Sequence, residues 1–155
     1  MAGKGTQAIV AAERAGIVYS VHEYVHDPAS RSYGLEAAEK LGVDAARVFK
    51  TLVADVDGTL TVAIVPVEAQ LDLKALGKRV TMADPKLAER TTGYVAGGIS
   101  PLGQRKKLPT VLDESAFEFE TIHVSAGRRG LEIELAPVDL LALTNGRARR
   151  IAAGR

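Results

Sequence analysis

Apolar residues recur along this chain at two spacings, and the change from one spacing to the other divides it into elements. Helical spacing predicts four helices, which begin after Thr6, at residue 33, after Asp84 and at Pro137. Thr6 and Asp84 can accept hydrogen bonds from a first helical turn, and Pro137 fits such a turn because its fixed φ is helical. The pattern therefore indicates both the helices and where they start.

Alternation of apolar and polar residues predicts strands in much of the rest. The strand segments are residues 17–24, 49–56, 60–67, 79–82, 108–112, 121–125 and 131–135. Asp57-Gly58 joins two of them and is the strongest hairpin signal in the chain. A brief helix is predicted over residues 71–76, and the arginine-rich tail after residue 146 is expected to fray. With no repeat or linker, this order predicts one α+β domain with a mixed or antiparallel sheet.

The composition is that of a soluble globular domain, and it removes several classes of function. The 155 residues suit one domain, with 46% hydrophobic and 25% charged residues. Cysteine is absent, which excludes a thiol nucleophile, a zinc knuckle and a disulfide scaffold. No segment has the length of a membrane span and no cleavable leader is recognisable, so we expect a cytoplasmic protein without a membrane partner. The net charge of +1 neither favours nor excludes nucleic acid.

The segment from Gly93 to Gly103 is the least ordinary part of the chain. It contains four glycines and a proline, which rules out a helix interior, yet its apolar residues are unlike those of a flexible linker. Gly97 and Gly98 would let the main chain approach a ligand closely, so that backbone N–H groups could meet an oxyanion or a phosphate. An ordinary turn between two elements is the alternative, and the residues alone leave both open.

Lys50 stands at the head of an otherwise apolar row. Period two on the predicted strand places Lys50, Leu52, Ala54 and Val56 on one face. The common outcome is an aliphatic stem packed on the core with the ammonium group in water. The alternative is a cation at the rim of a pocket, held by the apolar row beneath it.

The sequence gives little support for a metal site, a serine-hydrolase site or a dinucleotide site. His22 and His26 are four residues apart, but they fall across a strand and a turn and lack a third ligand, so we expect no metal. Ser100 is followed by proline and does not sit in a Gly-x-Ser-x-Gly elbow, which argues against a serine hydrolase. No glycine fingerprint for a dinucleotide follows a strand, and we expect no cofactor.

Several ordered motifs in one chain point to a known family. They are His22-Glu23-Tyr24, His26-Asp27-Pro28, Val48-Phe49-Lys50-Thr51-Leu52, Gln70-Leu71-Asp72-Leu73-Lys74, Met82-Ala83-Asp84-Pro85, Thr92-Gly93-Tyr94, Gly97-Gly98-Ile99-Ser100-Pro101-Leu102-Gly103 and Val124-Ser125-Ala126-Gly127-Arg128-Arg129-Gly130-Leu131. In these motifs the chain resembles the YbaK family, the bacterial Cys-tRNA(Pro) deacylases related to the editing domain of prolyl-tRNA synthetases. The resemblance covers nearly the full length, so it implies one editing domain over residues 1–155.

The resemblance also implies a fold and a site. The fold would be a compact α+β domain whose curved mixed sheet closes toward a barrel with helices around it. Lys50 would hold the phosphate and sugar of a terminal adenosine, while Gly97 and Gly98 would contact the scissile ester. Further substrate-binding positions implied by the family are Tyr24, Tyr33, Thr51, Ile99, Ser100, Ser125 and Glu132. Tyr33 stands where phenylalanine is frequent and Glu132 where aspartate is frequent, which leaves the pocket size and the preferred amino acid open.

The activity implied is hydrolysis of mischarged Cys-tRNA(Pro), with the substrate's own thiol attacking its ester and the enzyme supplying position and oxyanion stabilisation. That mechanism needs no cysteine, triad, metal or cofactor from the protein. The expected partner is the acceptor end of aminoacylated tRNA(Pro), with prolyl-tRNA synthetase as a possible second partner. A deacylase for alanine or another small amino acid, and a non-catalytic domain that binds a tRNA end or a nucleotide, are the alternatives.

Overall fold

Three sheets form the framework of the protein in the computed structural model, which describes residues 5–30 and 32–154. The strands are β1 (Tyr19–Glu23), β2 (Phe49–Val56), β3 (Thr59–Pro66), β4 (Gln70–Leu71), β5 (Val80–Met82), β6 (Thr110–Asp113), β7 (Ile122–Arg128), β8 (Leu131–Leu135), β9 (Arg147–Arg149) and β10 (Ala152–Ala153). The α-helices are α1 (Gln7–Ala15), α2 (Tyr33–Leu41), α3 (Pro85–Thr92) and α4 (Pro137–Thr144). Short 3-10 helices cover Ala45–Arg47, Leu73–Ala75 and Glu114–Glu118. None of the described helices is long and apolar enough to cross a bilayer.

The largest sheet has five strands in the order β5-β2-β3-β6-β9, and a second has the order β1-β8-β7. The remaining pair is β10 with β4. Pairing is antiparallel throughout the second sheet, whereas β6 runs parallel to both β3 and β9 in the first. The predicted α+β fold with a mixed sheet is confirmed.

The helix caps and the hairpin turn predicted from the sequence form at the predicted residues. The Thr6 hydroxyl accepts a hydrogen bond from the Ile9 N–H at 3.2 Å and begins α1. The Asp84 carboxylate accepts one from the Leu87 N–H at 3.2 Å and begins α3. Asp57 and Gly58, with φ of 50° and 92°, form the turn that joins β2 to β3. Positive φ at both residues is what the tight hairpin turn requires, which is why Asp-Gly marks it.

The principal core joins the two larger sheets and two helices. It contains Ile9 of α1, Phe49 of β2, Ile64 of β3, Ile133 of β8 and Leu140 of α4, all buried. A smaller apolar cluster covers the opposite face of β2 and β3. Both faces of β2 are therefore packed against apolar side chains.

The arginine-rich tail does not fray, which corrects the prediction made from its composition. Residues Arg147–Arg149 form β9, and the Ile151 side chain beyond it is fully buried. The buried Asp113 carboxylate accepts hydrogen bonds from the N–H groups of Ile151 and Ala152, both at 2.9 Å. Charge alone predicts solvation, but an acceptor distant in sequence fixes this segment.

Closure toward a barrel is incomplete in the described residues, because the strands form three separate hydrogen-bonded sheets. The two larger sheets meet at a single parallel bridge between Val48 and His123. Immediately beyond this bridge the chain continues as β2 on one side and along β7 on the other. The candidate site lies at this junction.

Candidate active site

A cavity of about 370 Å³ opens where β2, β7 and β8 meet the first turn of α2. Small-molecule sites usually have volumes of about 300–1,000 Å³, so this cavity suits a small ligand or the end of a larger one. Its wall consists of Tyr24, Ser32, Tyr33, Gly34, Leu35, Val48, Phe49, Lys50, Thr51, Leu52, Val67, Gly97, Ile99, Ser125 and Glu132. The structure thus brings together all but two of the predicted site residues, the exceptions being Gly98 and Ser100.

Lys50 supplies a cation to this wall without a counter-ion. It projects from β2, its side chain is half-buried, and burial lowers its pKa. No carboxylate in the described part of the chain forms an ion pair with it. The row below it packs as the alternation predicts, since Leu52, Ala54 and Val56 belong to one apolar cluster. An anionic group in the cavity would offset the desolvation of this ammonium group.

Glu132 places a carboxyl group deep in the same wall. It lies on β8, opposite Ser125 of β7 and His22 of β1, and is 7% exposed. Burial raises the pKa of Glu132 to about 8, so the group is mainly protonated at neutral pH. Burial, followed by the nearby Glu132 charge, raises the pKa of Tyr24 to about 12. This end of the cavity is therefore polar but uncharged at neutral pH.

The cavity wall contains polar atoms that the protein itself leaves unpaired. Among the described residues, Thr51 Oγ1 and Glu132 Oε1 are buried and have no hydrogen-bond partner. The Ser125 hydroxyl accepts a hydrogen bond from the Gly127 N–H at 3.2 Å. The wall has no histidine beside Ser125 or Thr51. These hydroxyls are therefore placed to bind a polar ligand, and they lack the base that would activate them as nucleophiles.

The glycine-rich segment reaches the cavity through a tight turn over residues 95–98. The Gly98 N–H donates to the Val95 carbonyl at 2.9 Å, and Gly97 between them has a φ of 81°. This positive φ at the third position is the signature of a type II turn. The Gly97 N–H has no partner within the described chain, so it is free to meet a ligand.

Gly98 and Ser100 lie behind the cavity wall. A Cβ at Gly98 would stand 2.8 Å from the Arg128 Cα, so glycine is needed there for the segment to pack on the β7–β8 turn. Its N–H is already engaged by Val95 and is not available as a second donor. Ser100 is fully buried, and its hydroxyl accepts from the Leu102 N–H at 3.2 Å. Both residues pack behind the cavity wall, and the direct substrate contacts expected of them stay a prediction.

Gly34 is a sequence signal of the site that the predicted residues do not include. Gly34 lies within α2, where glycine is unfavourable, and a Cβ there would overlap the Val67 side chain. The missing side chain lets the first turn of α2 approach the end of β3 and form the roof of the cavity. A glycine inside a helical pattern indicates such a close approach. Phe49 and Val48 give no comparable signal, because apolar strand residues are common.

The histidines form two separate arrangements next to the cavity. His26 pairs with the buried Glu36, whose carboxylate lies 2.7 Å from Nδ1. His22, His123 and Glu134 come together on adjacent strands, with potential ligand atoms within 4.8 Å of one another, so these three could hold a metal ion. The same carboxylate, however, is 3.3 Å from the Arg47 guanidinium, and it accepts a hydrogen bond from Thr121. A cation that already faces Glu134 opposes metal binding there.

Taken together, the fold and the cavity define a small α+β domain whose cavity combines a lysine without an ion-pair partner among the described residues and the unpaired Gly97 N–H. Comparison with known proteins identifies the family: residues 27–143 match the model of the aminoacyl-tRNA editing domain, and the chain belongs to this family, the YbaK family. A protein of Enterococcus faecalis, provisionally named Cys-tRNA(Pro)/Cys-tRNA(Cys) deacylase EbsC, is 42% identical over 152 residues, which cover 94% of this chain and 92% of that protein.

Solved structures agree with this assignment. One, of a candidate trans-editing enzyme for prolyl-tRNA synthetase, superposes with a TM-score of 0.83 at 27% identity and covers 96% of both chains. Another, of the hypothetical protein APE2540, has a TM-score of 0.84 at 20% identity, covers 95% of this chain and 99% of that one, and shows the shared fold. The expected family and the expected fold class are thus confirmed.

Proposed function

We propose that this protein is a trans-editing deacylase that hydrolyses mischarged Cys-tRNA(Pro). The 3′-terminal adenosine and its aminoacyl group occupy the cavity at the junction of the sheets. Lys50 binds the phosphate and sugar, and the Gly97 N–H binds the carbonyl oxygen of the ester. Membership of the editing family and the likeness to the Enterococcus faecalis relative support the substrate class.

One observation carries the mechanism: the cavity presents an unpaired cation and a free backbone N–H, yet no activated nucleophile. The chain has no cysteine, and no histidine lies in the wall beside Ser125 or Thr51. The nucleophile must then come from the substrate or from water. A site of this kind accelerates reaction by holding the groups in place and by stabilising the developing negative charge.

With a cysteinyl ester the chemistry balances without any group from the protein. The substrate thiol loses its proton and its sulfur forms a bond to the ester carbonyl carbon. The carbon–oxygen bond to the ribose then breaks, and the ribose oxygen takes up a proton, which releases free tRNA. The cyclic thioester that leaves is hydrolysed by water to cysteine. The Gly97 N–H stabilises the carbonyl oxygen while it carries negative charge.

The neutral state of Glu132 is compatible with this ligand. An ionised carboxylate in the wall would repel the phosphate that Lys50 binds, whereas a protonated one can donate a hydrogen bond to the substrate. Thr51 Oγ1 and Glu132 Oε1, which are buried and lack partners among the described residues, then bind the ribose or the aminoacyl group.

A deacylation panel tests the proposal. The untagged protein is assayed against cysteinyl, alanyl, seryl and prolyl esters of tRNA(Pro), with S-methylcysteinyl-tRNA(Pro) as a matched substrate that lacks a free thiol. We expect rapid release for the cysteinyl ester and little for the others. Equal rates for alanyl and cysteinyl esters would replace the proposal with a deacylase for small amino acids that does not use the thiol. Tight tRNA binding without any cleavage would show a binding domain.

We further propose that tRNA selectivity is supplied by prolyl-tRNA synthetase. The cavity has room for the terminal residue of the tRNA, and its wall offers few groups to read the rest of the molecule. The likeness to a candidate trans-editing enzyme for that synthetase supports the idea. Addition of the synthetase should then raise the preference for Cys-tRNA(Pro) over Cys-tRNA(Cys). An unchanged ratio would contradict this part of the proposal.

A further inference from the structure

Arg129 joins two parts of the cavity wall, the 95–98 turn and Tyr33, from outside the cavity. The residue lies in the turn between β7 and β8, and both Nε and Nη2 donate hydrogen bonds to the Ala96 carbonyl, at 3.1 Å and 2.6 Å. Its guanidinium group also lies over the Tyr33 ring, 4.3 Å from the ring centre. Tyr33 and Gly97 line the cavity, whereas Arg129 does not. The arginine therefore acts on the wall and not on a ligand within it.

The carbonyl that Arg129 binds belongs to the central peptide of the 95–98 turn. Types I and II of a β-turn differ mainly in the orientation of this peptide, which rotates by about 180° between them. Glycine at the third position accepts either orientation, since positive and negative φ are both open to it. The Gly98–Val95 hydrogen bond closes the turn in both forms. The turn by itself therefore does not determine which way the Ala96–Gly97 peptide points.

The orientation of this peptide decides whether an N–H donor or a carbonyl oxygen faces the cavity. The peptide is trans, so the Gly97 N–H points away from the direction of the Ala96 carbonyl. With the carbonyl held by Arg129, the N–H is left free, and the Ala96 N–H is itself fixed by the Glu89 carboxylate at 3.0 Å. A rotated peptide would instead turn a carbonyl oxygen toward the position of the oxyanion, where it would repel the developing charge.

We propose that Arg129 is a positioning residue that selects the turn conformation in which the Gly97 N–H faces the cavity. The two-pronged guanidinium group is suited to this task because its two donors fix both the place and the direction of one carbonyl, and its flat face stacks on Tyr33. This inference rests on the proposed function, since the N–H acts on the ester carbonyl of the substrate.

The test combines structure with kinetics. Arg129→Ala and Arg129→Lys are compared with Arg128→Ala, a neighbouring arginine that is exposed and pairs with Glu23 at 3.6 Å. A crystal structure of Arg129→Ala should show the Ala96–Gly97 peptide rotated. On Cys-tRNA(Pro), kcat should fall about 100-fold, the size typical for loss of one oxyanion donor, with KM nearly unchanged. Arg128→Ala should keep the wild-type kcat.

Two further readouts separate positioning from simple charge or folding. Arg129→Lys keeps the charge but cannot donate two parallel hydrogen bonds to the Ala96 carbonyl, so kcat should stay low. Free guanidinium at millimolar concentration should restore part of the kcat of Arg129→Ala. Full activity in Arg129→Lys would show that charge alone matters and would overturn the proposal.

The outcomes for Arg129 and for the proposed function can be told apart. An unrotated peptide in Arg129→Ala would overturn the positioning role whatever the enzyme hydrolyses. A rotated peptide with normal kcat, in an enzyme that Lys50→Ala inactivates, would leave the deacylase intact and remove the role of the Gly97 N–H. If the wild-type protein cleaves no ester, the proposed function fails, while the crystal structure still decides whether Arg129 sets the turn.

Discussion

Lys50 and Glu132 line the same cavity without forming an ion pair. Burial alone lowers the pKa of Lys50, with no contribution from a neighbouring carboxylate, and burial alone raises the pKa of Glu132 to about 8. At neutral pH the cavity thus holds a positive charge and a neutral carboxyl group in place of a neutralised pair. The ammonium group is already partly desolvated before any ligand binds, so an anionic ligand beside it would gain a favourable charge interaction without a further large desolvation penalty.

The first prediction concerns Lys50 and separates function from stability. Lys50→Met should lower kcat/KM on Cys-tRNA(Pro) by about 10- to 100-fold, as expected for a hydrogen bond to a charged group. The melting temperature should be unchanged or higher, because the half-buried charge has no ion-pair partner among the residues that the structure describes. Lys74→Met, at an exposed lysine, is the matched control for both measurements. A normal rate in Lys50→Met would remove the role given to this residue.

The second prediction is a pH dependence of activity set by Glu132. Above pH of about 8 the carboxyl group ionises, and its charge should weaken binding of the tRNA end, so KM should rise. Glu132→Gln keeps a neutral polar side chain and should flatten this alkaline limb. The measurement is of initial rates from pH 6 to 9 at several substrate concentrations, corrected for spontaneous ester hydrolysis without enzyme, which gives KM at each pH. The same alkaline limb in both proteins would assign it to another group.

Glu132 should also leave a signature in stability, with the opposite sign to that of a paired carboxylate. The ordinary pKa of this carboxyl group is 4.5, and burial raises its pKa in the folded protein to about 8. Between these two pH values the folded state therefore binds more protons than the unfolded state. The contribution of this group to the free energy of unfolding therefore decreases as pH rises through that window. Urea unfolding at a series of pH values should show the decrease in the wild-type protein and a flatter profile in Glu132→Gln.

The fourth prediction distinguishes the two glycines of the loop. A Cβ at Gly98 would press on the backbone of Arg128, so Gly98→Ala should lower the melting temperature and loosen the loop. At Gly97, alanine would meet the Tyr33 ring at 2.6 Å with a φ of 81°, so the turn itself should change and kcat should fall. Gly5→Ala, which would contact nothing within 4 Å, is the control. Wild-type stability in Gly98→Ala would contradict close packing of Gly98 on the Arg128 backbone.

The last prediction concerns the tail. Asp113→Ala would leave the buried N–H groups of Ile151 and Ala152 without an acceptor, at a cost of about 2 kcal/mol or more. Hydrogen bonds from Ser115, Ile151 and Ala152 together outweigh burial and hold the pKa of Asp113 below its usual 3.8, so the stabilisation is present above that pH and is lost as pH falls below it. Denaturant unfolding of Asp113→Ala and Asp113→Asn at pH 7 measures the effect. Equal stability of all three proteins would show that the tail is not held in this way.

Much of the local structure could be predicted because its causes lie within a few residues. The caps at Thr6 and Asp84 and the Asp57-Gly58 turn act through neighbouring backbone groups, and they appear where predicted. The tail failed for the opposite reason: its partner, Asp113, is more than thirty residues away, and no periodicity reports such an acceptor. The 3-10 helix of Leu73–Ala75 is shorter than the helix predicted over residues 71–76, because Gln70–Leu71 pairs with β10 instead.

The same division applies to the site. The sequence by itself determined which residue types are available: a lysine heading an apolar row, a glycine-rich segment, and a chain without cysteine. Motif order added the family, which the comparisons confirm. Only the tertiary structure decided that Gly97 faces the cavity while Gly98 packs behind it, that Glu132 is buried enough to keep its proton, and that Arg129 binds the Ala96 carbonyl. Those properties depend on distances between segments far apart in the chain, and local pattern carries no record of such distances.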